Sequence, residues 1–211
     1  FESQQHEFLS WTSGTGDPDF EASRQIDVAP RRRDDLVGWL RQSPQRTFMQ
    51  DDTWRERCRT PPLQCLGALA HLASEDQYPI GRWEDALGAW EAKSRLMRTW
   101  RCVAPEVQRF PTSVLSDLAH SVSRWLQAVA DVVSADDPRL LDLCQRVLAL
   151  PLSDKTGITS AGNPIDEPVM EALNHPIGHV AQAILNAWFK RSPADNEGLP
   201  PNLKPLFTQL C

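Results

Sequence analysis

The sequence predicts an all-α fold, an antiparallel array of about seven to nine helices forming a HEAT-like stack or an irregular bundle, and three observations lead there. Leu (24) and Ala (20) outnumber Val (12) and Ile (6) by 44 to 18; small and straight-chain residues favour helices, whereas β-branched ones favour strands. Apolar residues recur at spacings of three and four through most of the chain, the period of one buried helical face. The 17 Pro residues sit mostly where those stripes begin or end, so they read as helix boundaries.

Residues 1–30 contain Gly14, Gly16, Pro18 and Pro30 without a sustained period, and are expected to be irregular. A single helical domain is expected over 31–211. Asp34 and Asp35 precede the stripe Leu36, Trp39, Leu40, which places acids at the positive end of a short helix. Asp51 or Asp52 is a cap for a second helix through Trp54 and Cys58, and Pro61 and Pro62 separate it from a third carrying Leu63, Leu66, Leu69 and Ala73. Trp83, Leu87, Trp90, Ser94 and Met97 predict one helix from about Gly81 to Trp100, ahead of Pro105. Thr112 is the expected N-cap of a long helix from Leu115 to Val133, and Asp136 or Asp137 before Pro138 starts the next, which Pro151 stops. The interval 151–166, with Gly157, Gly162 and Pro164, is the best internal boundary, as a functional loop or a small hairpin. Asp166 is a cap for a short helix, Asn174 for a longer one through Trp188, and a last stripe holds Leu203, Leu206, Phe207 and Leu210.

Composition excludes several classes. The longest apolar runs are a few residues, far short of the roughly 20 needed to cross a bilayer, so no membrane is expected. The first thirty residues show no basic region followed by an apolar one. Phe1 stands where an initiator Met would, and the chain is expected to be an internal piece of a longer protein. Five Cys with no C-x-x-C pair signal neither a disulfide framework nor a zinc knuckle, which fits a reducing cytoplasm. No nucleophile elbow, phosphate loop or dinucleotide fingerprint occurs, so no catalytic residue, no cofactor and no enzyme activity are expected of this chain.

Two constellations carry some chemistry. His175 and His179 lie four apart, a spacing that can present two imidazoles to one metal. However, no Glu follows the first His as in a zincin, and Asn174 as N-cap with Pro176 in the first turn explains the run structurally, so no metal is expected there. Glu167 or Glu171 completes a site only by folding back. Between residues 31 and 59, eight Arg face five acids, which makes the segment +3 within a chain of −6 and leaves −9 elsewhere. Arg31, Arg32, Arg33, Arg55, Arg57 and Arg59 are the expected contact surface, for a protein partner first and for nucleic acid as the alternative. Of eight Trp, five (Trp39, Trp83, Trp90, Trp125, Trp188) fall on apolar stripes and are expected to pack helices together, which leaves Trp11, Trp54 and Trp100 open to other roles. Leu206, Phe207 and Leu210 are expected to be exposed at the end of the chain, as an edge for self-association.

The stretch EPVMEALNHPIGHVAQAILNAWFKRSPADNEGLPPNLKPLFTQLC (Glu167–Cys211), with DDTWRERCRT (Asp51–Thr60) and LLDLCQRVLALPL (Leu140–Leu152), resembles a helical region of unknown function in large bacterial proteins whose N-terminal part is sirtuin-like. The resemblance implies a parent protein in defence against phage, whose sirtuin-like domain consumes NAD. It implies for this chain a non-catalytic scaffold, sensor or regulatory module that contacts other domains of the same parent. It assigns no catalytic or ligand residue here.

Overall fold

The computed structural model describes residues 28–42, 52–152, 173–191, 198 and 200–210. Ten helices are bounded among them: α1 (Arg33–Gln42), α2 (Trp54–Arg59), α3 (Pro62–Ala73), α4 (Ile80–Trp90), α5 (Lys93–Gln108), α6 (Thr112–Asp117), α7 (Ala119–Ala130), α8 (Pro138–Leu148), α9 (Pro176–Phe189) and α10 (Lys204–Leu210). No strand occurs among the described residues, and the fold is all-α. Residues 1–27 and 153–172 lie outside them, and with these the expected irregular N-terminal segment up to 27, nearly all of the interval 151–166, and Glu167 and Glu171.

Ten helices rather than seven to nine arise because two expected long helices are each divided. The stripe from Trp83 to Met97 changes phase: the chain turns at Ala92, whose backbone is extended, and α5 buries Leu96, Trp100, Val103, Ala104 and Val107 while Met97 is 44% exposed. This α5 runs through Pro105 to Gln108 instead of stopping ahead of it, although Pro at that place gives up one backbone hydrogen bond. The second division falls at Leu118, whose φ of −96° and ψ of 6° separate α6 from α7. Thr112 is the first residue of α6 rather than its N-cap, and Pro111 precedes it with no side-chain cap bond.

Other boundaries are built as the residues suggest. The Asp137 carboxylate accepts the Arg139 N–H at 3.0 Å, with Pro138 at the first helical position of α8. The same carboxylate accepts the Trp100 indole N–H at 2.9 Å, so one cap also ties α8 to α5. Asp137→Ala is therefore expected to lower stability by about 1 kcal/mol for the cap, and by more once the indole N–H loses its acceptor. A denaturant-unfolding midpoint checks it. At the other end of α5, the Arg146 guanidinium of α8 donates to the Phe110 carbonyl at 2.7 Å, satisfying a carbonyl just past the helix end.

Every substantial helix pairing joins elements no more than three apart along the chain: α1 with α3, α2 with α4, α4 with α7, α5 with α8, α7 with α9, and α8 with α9 and α10. These pairings are of the described residues, and they link each helix to elements near it in chain order. Trp83, Trp90 and Trp125 are buried in the core, while Trp39 and Trp188 are partly buried against it. Trp54 and Trp100, left open by the sequence, are buried as well. Trp54 donates its indole N–H to the Arg82 carbonyl and Trp90 to the Cys58 carbonyl, each at 3.0 Å, so both indoles fasten α2 to α4. Beside them Arg82, 1% exposed, meets the Asp52 carboxylate at 2.6 Å and lies over the Trp39 ring at 4.5 Å.

The last helix departs from expectation. Leu203 and Leu206 are buried and Phe207 packs edge-on against Trp188 at 6.3 Å, because α10 folds back onto α8 and α9. Leu206 is thus buried and Phe207 half-buried, and the side chain of Leu210 lies outside the described residues. Among the described residues no helix is long and apolar enough to cross a membrane.

Candidate functional site

The six arginines divide among four places. Three of them, Arg31, Arg57 and Arg59, line one open cavity of about 410 Å³ with Val28, Ala29, Thr53, Glu56 and Thr60. Its walls are tied together: the Ala29 N–H donates to Thr53 Oγ1 at 3.0 Å, and Arg57 Nη2 donates both to the Arg31 carbonyl at 2.8 Å and to Gln64 Oε1 at 2.7 Å. Those bonds hold the Arg57 guanidinium in place, an arrangement that reduces what a ligand must order on binding. Three guanidinium groups and two threonine hydroxyls beside small apolar side chains suit a carboxylate carried on an aliphatic stem.

Arg33 lies elsewhere. Its guanidinium runs across Gly67 of α3, with Nε 3.5 Å from where a Cβ would stand, so the missing side chain leaves the room. With Asp34, Val37, Arg41 and His71 it lines a second cavity of about 340 Å³, where acids balance the cations: Arg41 is paired with Glu75, and His71 is 3.5 Å from the same carboxylate. Hydrogen bonding from Arg41 holds the Glu75 carboxyl below its ordinary pKa. Arg55 points to α4, where its Nη2 lies 3.5 Å from the Cβ position of Gly88. Arg32 is exposed. Arg55 thus stands apart from Arg57 and Arg59.

His175 and His179 have different hydrogen-bond partners. His175 is the N-cap residue of α9, in place of the expected Asn174, because Leu173 and Asn174 are themselves helical. Its Nδ1 accepts the Ile177 N–H at 3.2 Å. His179 is buried one turn inside, and the ring facing it is that of His120 from α7, at a centroid distance of 5.3 Å and an interplanar angle of 68°. Nothing in the spacing signalled His120, because its partner belongs to a different helix. Among the described residues no group of three or more His, Cys, Asp or Glu is placed to hold a metal.

Thiol chemistry is muted by burial. Cys58, Cys65 and Cys144 are buried, and Cys102 is exposed. Burial pushes the Cys144 thiol up to about 12 and raises Cys58, whereas the hydrogen bond from Cys58 lowers Cys65. None of these meets a histidine among the hydrogen bonds of the described residues. The site with the most developed recognition chemistry is therefore the groove of Arg31, Arg57 and Arg59. Comparison with known proteins finds no matching family model, no matching curated protein and no matching solved structure.

Proposed function

We propose that this chain is a non-catalytic helical scaffold, sensor or regulatory module of a larger bacterial protein, and that it contacts an acidic protein segment through the groove of Arg31, Arg57 and Arg59. The observation that carries the reading is the groove itself, with one guanidinium already fixed between the Arg31 carbonyl and Gln64. The resemblance to helical regions of sirtuin-like defence proteins supplies the context: another domain of the same parent is the natural source of the acidic segment, and NAD chemistry belongs to that parent. Cytoplasmic location belongs to the same proposal.

Contact with nucleic acid is the weaker alternative. The arginines divide among separate places, and among the described residues no aromatic ring lines the groove, whereas strand binding combines a continuous basic track with exposed rings.

The test uses the full chain with a fluorescein-labelled Glu-rich peptide and, in parallel, a single-stranded oligonucleotide. Peptide binding is expected to weaken at least about tenfold in Arg31→Ala/Arg57→Ala/Arg59→Ala, the loss of charge-assisted contacts worth at least 1.4 kcal/mol in total. Arg55→Ala is expected to bind as the parent chain does. Tighter binding of the oligonucleotide, with a salt slope that falls in the triple variant, would favour phosphates instead.

A further inference from the structure

The pairing of α9 with α7 is the most extensive in the fold, and a chain of oriented amides runs through it. The Leu173 carbonyl can only accept, so Gln182 Nε2 donates to it at 3.1 Å. Gln182 Oε1 then accepts from Gln127 Nε2 at 2.8 Å. That leaves Gln127 Oε1 facing His179 Nδ1 at 2.9 Å, so Nδ1 carries the hydrogen and Nε2 bears the lone pair. His179 Nε2 is buried without a hydrogen-bond partner, and so is His120 Nδ1 on the ring beside it.

We infer that His120 and His179 form an acid-released latch, which holds α9 against α7 while both imidazoles are neutral and loosens that pairing when His179 takes up a proton. A proton on Nε2 would place a charge among groups of the same sign. His120 and Arg124 come from α7, and His175 stands at the N-cap of α9. Among the described residues the acid acting on this pair is Glu91, engaged with Arg124 at 2.8 Å. Toward the other end of α9, Asp131 accepts from Asn186, Lys190 donates to the Val133 carbonyl, and Arg191 pairs with Asp136. Burial first, then His120 and Arg124, push His179 down to about 4, against a smaller opposing effect of the Asn174 carbonyl. His120 is lowered too, by burial and then by Arg124.

The sign of the pH dependence follows. The unfolded chain protonates this imidazole near 6.5 and the folded chain near 4, so the unfolded state binds more protons between those values. The contribution is complete above about pH 6.5 and fades as pH falls toward 4. From this group alone the folding equilibrium drops by up to about 300-fold. This latch is independent of the arginine groove, which is built by α2 and the segment ahead of α1.

Three measurements on the full chain test it. In long-range nitrogen–proton spectra His179 is expected as the Nδ1–H tautomer, with a midpoint well below 6; an Nε2–H tautomer or a midpoint near 6.5 would overturn the latch. The urea midpoint is expected to fall between pH 7.5 and 5.0, with a clearly smaller fall in His179→Gln. An equal fall in His179→Gln would assign the acid sensitivity to other groups. Should His179→Gln not fold, the tautomer and titration of the parent chain still decide. Hydrogen exchange at pH 5.0, corrected for intrinsic rates, is expected to show α9 losing protection before α1 to α4; uniform loss would mean global unfolding without a latch.

Discussion

Asp52→Ala is expected to destabilise the protein by up to about 3–5 kcal/mol, the range for removing one member of a buried ion pair. Arg82 is almost wholly enclosed, with Asp52 at 2.6 Å and the Trp39 ring at 4.5 Å. The lost carboxylate also accepts the Trp54 backbone N–H at 3.0 Å, so the substitution loosens the start of α2 as well. A paired replacement, Asp52→Leu with Arg82→Met, is expected to cost less than Asp52→Ala alone, because apolar groups of similar volume leave no orphaned charge. Denaturant unfolding of the three proteins checks the order of their midpoints, and a double variant less stable than the single one would show that the pair contributes net stability. Since α2 also carries Arg57 and Arg59, Asp52→Ala is expected to weaken capture of the Glu-rich peptide although it lies outside the groove.

Trp125→Ala carries the second large effect, about 3–5 kcal/mol. Trp125 is fully buried on α7 and its ring lies 5.3 Å from that of Trp100, in the layer where α4, α5 and α9 all meet α7. Removing the indole takes away both its burial and its ring contact, and close-packed neighbours relax only partly into the space. For a chain of this size such a loss lowers the melting temperature by roughly 6–20 °C. Trp125→Phe is expected to retain much of the stability. A melting temperature within two degrees of the parent chain for Trp125→Ala would show that the layer repacks.

Where one residue type forces a local outcome, the sequence was legible. Asp137 followed by Pro138 starts α8, since the carboxylate reaches the Arg139 N–H and Pro needs no partner at that position. Leu36 and Leu40 are buried on α1 behind two acids in its first turn. Period alone was less informative where helices divide: Trp83, Leu87 and Trp90 are buried and Met97 is not, because the chain turns before Lys93 and Leu96 takes over the inner face. Pro105 was misread as a stop, since tertiary burial of Val103, Ala104 and Val107 outweighs one lost backbone bond. The candidate site was legible only as composition. Charge counting located Arg31, Arg57 and Arg59, but not that Gln64 would orient one of them, nor that Arg33 would lie over Gly67. His120 was invisible for the same reason: pairing across helices is set by tertiary packing.

The pairings among the described residues also bear on how the chain finds its structure. Entropy lost on closing a contact grows with the length of chain enclosed. Bonds between α2 and α4 join residues 28 and 32 positions apart, whereas those between α7 and α9 join residues 52 and 55 apart. Docking of α9 on α7 therefore closes the longer loop and has the larger entropy cost to offset, which its extensive burial supplies.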